Sequence, residues 1–104
     1  MIIYNVTVNI DFDVQDDWLA YMKSTHIPDV LATKMFVEAR FSRVLAEEEG
    51  GATYSIQYLC ESQEKLNEYQ EKFAPALQAD HTNKYAGKFV AFRTLLRLEK
   101  HFSE

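Results

Sequence analysis

Residues 2 to 10 alternate: Ile2, Tyr4, Val6, Val8 and Ile10 share one face, and Ile3, Asn5, Thr7 and Asn9 the other. A period of two predicts a strand. Asp13 is then placed to cap a helix, with Asp16 and Asp17 favourable near its positive end. Val14, Trp18, Leu19 and Met22 supply the apolar stripe of that helix. The stretch THIPDVLAT, Thr25 to Thr33, sets His26 and Pro28 into the same pattern. Proline has no N–H and disfavours helical geometry in the residue before it, so the helix is expected to end or kink at about His26. Pro28 and Asp29 suit the first turn of a second short piece carrying Val30 and Leu31.

Period two returns from Met35 to Leu45, with Val37, Ala39 and Phe41 opposite Glu38, Arg40 and Ser42. AEEEGG reads as a solvated turn that closes a hairpin. In TYSIQYLCE, Tyr54, Ile56, Tyr58 and Cys60 oppose Thr53, Ser55, Gln57 and Leu59, a third strand. Ser62 is expected to cap a second helix with Leu66, Tyr69, Phe73 and Leu77 on its stripe and an interruption at Pro75. Gly87 suits a stop before the fourth strand, KFVAFRTLLRL, and EKHFSE reads as a frayed tail. The order β-α-β-β-α-β predicts an α+β, ferredoxin-like fold: a four-stranded antiparallel sheet with two helices on one face. Residues 1–104 suit a single domain of this kind.

Such a sheet has an open face. Strand parity assigns to it Ile3, Asn5, Thr7, Asn9, Phe36, Glu38, Arg40, Gln57, Leu59, Phe89, Ala91 and Arg93. Phe36, Leu59, Phe89 and Leu95 would form an apolar patch larger than scattered exposed residues explain, so a partner subunit is expected to cover it. Arg40 and Arg93, with Glu38, are then expected to pair across that interface, the alternative being an anion-binding interior.

Composition narrows the partners. The formal net charge of −5 leaves no excess of cations for phosphates, so neither nucleic acid nor an anionic membrane surface is an expected partner. The start MIIYNVTVNIDF has no basic flank and alternates with polar residues, unlike a signal peptide or a membrane span. One cysteine, Cys60, cannot form an intramolecular disulfide, which agrees with a cytoplasmic location; it is expected as a small buried hydrophobe.

The spacing W-x(7)-H-x-P from Trp18 through His26 to Pro28, with GGATYSIQYLCES and HTNKYAGKFVAFRTLL, resembles a family of small uncharacterised bacterial domains in the dimeric α+β barrel superfamily. The likeness runs through nearly the whole chain. That superfamily also holds antibiotic-biosynthesis and haem-degrading monooxygenases, muconolactone isomerases and stress-responsive barrel proteins, in which two ferredoxin-like subunits face their sheets together. The resemblance implies a homodimer with a pocket in each subunit between sheet and helices. It carries no activity with it.

The residues that could carry chemistry are few. His26 sits at the helix break, where its ring either bonds a freed carbonyl or exchanges protons with a small molecule. Tyr4, Tyr54 and Tyr58 lie on the helix-facing side, as core filler or as pocket wall. Trp18 reads as core or interface, and His81 as a favourable cation near a helix end. A candidate pocket therefore comprises His26, Tyr4 and Tyr58, with Trp18 and His81. No metal site is expected, since no His-x-His or His-x(3)-His pair occurs, and no cofactor is implied. Nucleophile elbows and phosphate loops are absent from the sequence. Three functions remain open: a binder of a small, partly aromatic molecule, a cofactor-independent monooxygenase- or isomerase-like enzyme, and a structural or regulatory dimer without ligand.

Overall fold

The computed structural model describes residues 1–46 and 49–104. Strands β1 (Ile2–Asp11), β2 (Glu38–Arg43), β3 (Gly51–Cys60) and β4 (Phe89–Arg97) form one antiparallel sheet in the order β2-β3-β1-β4. This is the expected ferredoxin-like arrangement. The turn read into AEEEGG falls partly, at Glu47 and Glu48, outside the described residues.

The first connection winds through a 3-10 turn at Phe12–Val14 and then helix α1 (Gln15–Tyr21). Asp13 does not cap it: the tight turn shifts the helix start to Gln15, and the Asp13 carboxylate instead pairs with Lys88 Nζ at 2.8 Å. Nor does the helix stop at His26. His26 (φ −65°, ψ −54°) and Ile27 (φ −64°, ψ −44°) are both helical, and α2 (Ile27–Ala32) follows directly with Pro28 in its first turn. The missing N–H is absorbed by widening the helix: Met22–His26 form a π-helical turn in which the Ile27 N–H reaches back to the Met22 carbonyl.

In the second connection the Ser62 hydroxyl accepts from the Lys65 N–H at 3.2 Å, capping α3 (Gln63–Lys72). The chain breaks at Phe73 and restarts as α4 (Ala74–Lys84) with Pro75 in the first turn. Gly87, at φ +76°, completes the turn into β4.

One face of the sheet and both helical connections enclose the core. Tyr4, Val8, Ile10, Tyr54, Ile56, Tyr58 and Cys60 from the sheet pack with Trp18, Met22, Val30, Leu66, Tyr69 and Ala74 from the helices. Cys60 is fully buried there, its thiol donating to the Ser62 carbonyl at 3.2 Å.

The β1–β4 register pairs Val6 with Arg93, Val8 with Ala91 and Ile10 with Phe89. Paired residues share a face, so Phe89, Ala91 and Arg93 lie on the helix side, not on the open face expected for them. Strand β4 is apolar at both parities, and its alternation alone could not decide. Phe36 is likewise corrected: it precedes the β2 ladder, turns inward and packs on Tyr4, Tyr58 and Tyr69. Glu38, Arg40, Gln57 and Leu59 do share the open face with Ile3, Asn5 and Thr7. The β4 residues beside them are Val90, Phe92, Thr94 and Leu96. Arg40 pairs there with Glu38 of its own chain, at 3.5 Å.

Candidate functional site

Between the helices and the sheet lies a cavity of about 40 Å³. Its floor is β1, β3 and β4, through Tyr4, Val6, Val8, Ile56, Tyr58, Phe89, Ala91 and Arg93. Its roof is Met22 and His26 of the π turn, Val30 of α2, Tyr69 of α3, and Gln78, His81 and Thr82 of α4. Most of this lining is apolar; the polar groups that converge on it are two imidazoles, three phenols, a carboxamide, a hydroxyl and one guanidinium.

Each is placed by local structure. Met22 and His26 are four residues apart on the widened turn, so both face the sheet, and the proline two residues beyond His26 is what widens it. Tyr4 and Tyr58 oppose each other across the β1–β3 ladder with ring centroids 6.0 Å apart. Tyr69 comes down from α3 to within 5.9 Å of the Tyr4 ring, and Phe36 wedges against all three. Arg93 Nε donates to the Tyr4 hydroxyl at 3.0 Å.

The histidines form a second layer. Trp18 Nε1 donates to His81 Nε2 at 2.9 Å, His26 stands 5.5 Å from His81 between ring centroids, and Phe89 meets His81 edge-on at 4.6 Å. Burial, with His26 and Arg93 adding like charge, pushes the His81 imidazole down to about 4. His26 is also lowered by burial, although Asp29 and Asp80 pull in the opposite direction. Both rings are thus neutral near pH 7. Burial raises the phenols of Tyr58 and Tyr69 well above the usual tyrosine range, so both stay protonated.

Of the residues expected at a pocket, Tyr4, Tyr58, His26 and His81 line this cavity, and Trp18 stands behind His81 as its hydrogen-bond donor. Sequence reasoning missed two. Tyr69 was legible on the α3 stripe but looked like core. Arg93 sits at a parity that reads as the open face, and only its pairing with Val6 in the β1–β4 register places it on the helix side. Among the described residues no cluster of three or more His, Cys, Asp or Glu side chains could hold a metal, and no helix is long and apolar enough to cross a membrane.

Chemically, a protonated phenol can donate, a neutral imidazole can accept a proton, and a guanidinium can hold negative charge. Together they can orient a small polar molecule and exchange one proton with it.

Solved structures share this fold. A dimeric ferredoxin-like protein from an uncultured marine organism superposes with a TM-score of 0.73 over 100% of both chains, at 13% identity. A variant of SnoaB, a cofactor-independent oxygenase from Streptomyces nogalater, gives 0.69 at 11% identity, covering 99% of this chain and 98% of the other. An ethyl tert-butyl ether d family protein from Bacillus halodurans gives 0.68 at 13% identity, covering 94% and 99%. Likeness at these identities concerns the fold alone. No curated protein matches the chain in sequence. One family model does, over residues 1–99, and the chain accordingly belongs to the family described as a domain of unknown function, DUF4286.

Proposed function

We propose that the chain, as one ferredoxin-like domain over residues 1–104, works in the cytoplasm as a homodimer in which each subunit holds a small, partly aromatic molecule between helices and sheet. The observation that carries the ligand reading is the convergence of Tyr4, Tyr58, His26 and His81 on one cavity. Polar groups gathered in an otherwise apolar recess are what a binding site needs and what a packed core avoids. The cavity's 40 Å³ has room for a few heavy atoms, about three water molecules' worth, so the polar end of the ligand enters and its flat part stays at the rim. Trp18 serves by holding His81.

The dimer reading rests on the open sheet face, where Val90 is 71% exposed, Phe92 61% and Leu96 42%, beside Leu59 and the Glu38–Arg40 pair. A second copy covering this face would remove that apolar area from water. The dimeric ferredoxin-like relative supports this by analogy.

A thermal-shift screen of small aromatic acids, alcohols and amides tests the ligand reading. A hit should stabilise the wild type, and His26→Ala should lose that shift while keeping its ligand-free melting temperature, because a half-buried rim residue holds up little of the core. A large loss of stability with no hit would favour a structural dimer. One observation supports a second reading: the His26 imidazole, held neutral near pH 7 at the cavity, can take a proton from a bound molecule, as a cofactor-independent enzyme requires. Oxygen uptake or isomerisation of a screening hit would distinguish it.

A further inference from the structure

We infer that the cavity recognises a carboxylate, held by Arg93 as counter-ion with the hydroxyls of Tyr4, Tyr58 and Tyr69 as donors; the ligand class is a small organic monoacid. The inference rests on the reading of the cavity as a ligand site and specifies what that site selects.

Arginine carries five N–H donors and is always charged. Arg93 commits Nε to Tyr4, and among the described residues no carboxylate pairs with it. The Tyr4 hydroxyl, having accepted from Arg93, keeps its own proton to give. Tyr58 and Tyr69 are only 2% and 3% exposed, yet neither hydroxyl bonds to any described residue. Neither is sealed in the protein, since no buried side-chain nitrogen or oxygen without a partner occurs among the described residues; both hydroxyls are therefore open to the cavity they line. His81 accepts from Trp18 at Nε2, which puts its proton on Nδ1. Arg93, the three phenols and His81 thus present donors to the cavity, beside Gln78, Thr82 and His26, which can each donate or accept, and the one cation lining it is Arg93.

A site with these donors and a single cation selects an acceptor of one negative charge. A carboxylate offers about four lone-pair sites in a plane that matches the guanidinium fork. A dianion fits worse, because Arg93 is the one cation lining the cavity and would leave its second charge unbalanced. Size agrees: about 40 Å³ admits a carboxylate and its first carbon but not a ring, which would rest at the mouth beside exposed Thr82 and Arg93.

Isothermal titration of the purified protein with sodium benzoate and with benzamide, its neutral isostere, at constant ionic strength and pH 7.5, tests this. Benzoate is expected to bind saturably and benzamide about tenfold or more weaker. Arg93→Gln should weaken benzoate by a similar factor, and Tyr58→Phe by less, with both variants folded by circular dichroism, Arg93 being an exposed residue on an edge strand. Equal binding of benzoate and benzamide, or benzoate binding indifferent to Arg93→Gln and Tyr58→Phe, overturns the carboxylate inference and leaves the small-molecule reading standing. Binding of neither probe at millimolar concentration overturns both.

Discussion

The indole of Trp18 donates to Nε2 of His81 across 2.9 Å, with the two ring planes at 84°. Trp18 is fully buried and His81 is 8% exposed, so this bond is shielded from water. An indole N–H can only donate, and His81 can therefore keep this partner only while Nε2 is unprotonated. The same contact ties the tautomer of a cavity-lining residue to the first helix.

Stability should consequently fall with acid through His81. Its imidazole titrates near 6.5 when unfolded and about 4 when folded, so between these values the unfolded chain binds more protons. The stabilisation is fully present above about pH 6.5 and is lost as the pH falls towards 4, up to about 3 kcal/mol, with His26 adding in the same direction. His81→Gln, which can still accept from Trp18 but does not titrate, should flatten the pH 4 to 6.5 part of a urea-denaturation profile. An unchanged slope would show that other groups dominate.

Trp18→Phe removes the donor while keeping most of the apolar volume. Leaving a buried acceptor without its partner costs roughly 1–3 kcal/mol, which in a domain this size lowers the melting temperature by about 10 °C. The His81 pKa should rise in the variant, readable by NMR titration of its ring protons, because Nε2 is then free to take a proton.

The face assignments separate by assembly. Light scattering of the wild type should give twice the 12.1 kDa of one chain. Phe92→Glu, on the open face, should give a folded monomer. Phe36→Glu should instead unfold, since Phe36 is 6% exposed and packs on three tyrosine rings. A folded monomer from Phe36→Glu would restore the assignment that sequence parity suggested.

Much of this was legible in the chain because period two and helical spacing are local. The alternation at Ile2–Ile10 and Tyr54–Cys60 put Tyr4 and Tyr58 on the helix side, where they are. Position in the helical pattern brought His26 and His81 over that face. What failed was non-local or energetically soft. FVAFRTLL is apolar at both parities, so only pairing with β1 reveals that Arg93 faces Val6's side and Phe92 the other. The interruption expected near His26 is present, but as a π turn rather than a stop: Pro28 forbids one hydrogen bond, the widened turn satisfies the backbone, and the sequence contains no signal that chooses between the two. Asp13 had the right spacing for a cap but found Lys88, distant in sequence, as its partner.

The cavity as a ligand site is tested most directly by a crystal structure of the protein grown with benzoate, at a resolution that separates the carboxylate oxygens. The account predicts the carboxylate within hydrogen-bond distance of Arg93 and the Tyr58 hydroxyl, with its ring at the mouth beside Thr82. A cavity closed by Tyr58 and Tyr69 bonding to protein groups, with benzoate elsewhere or absent, would contradict it.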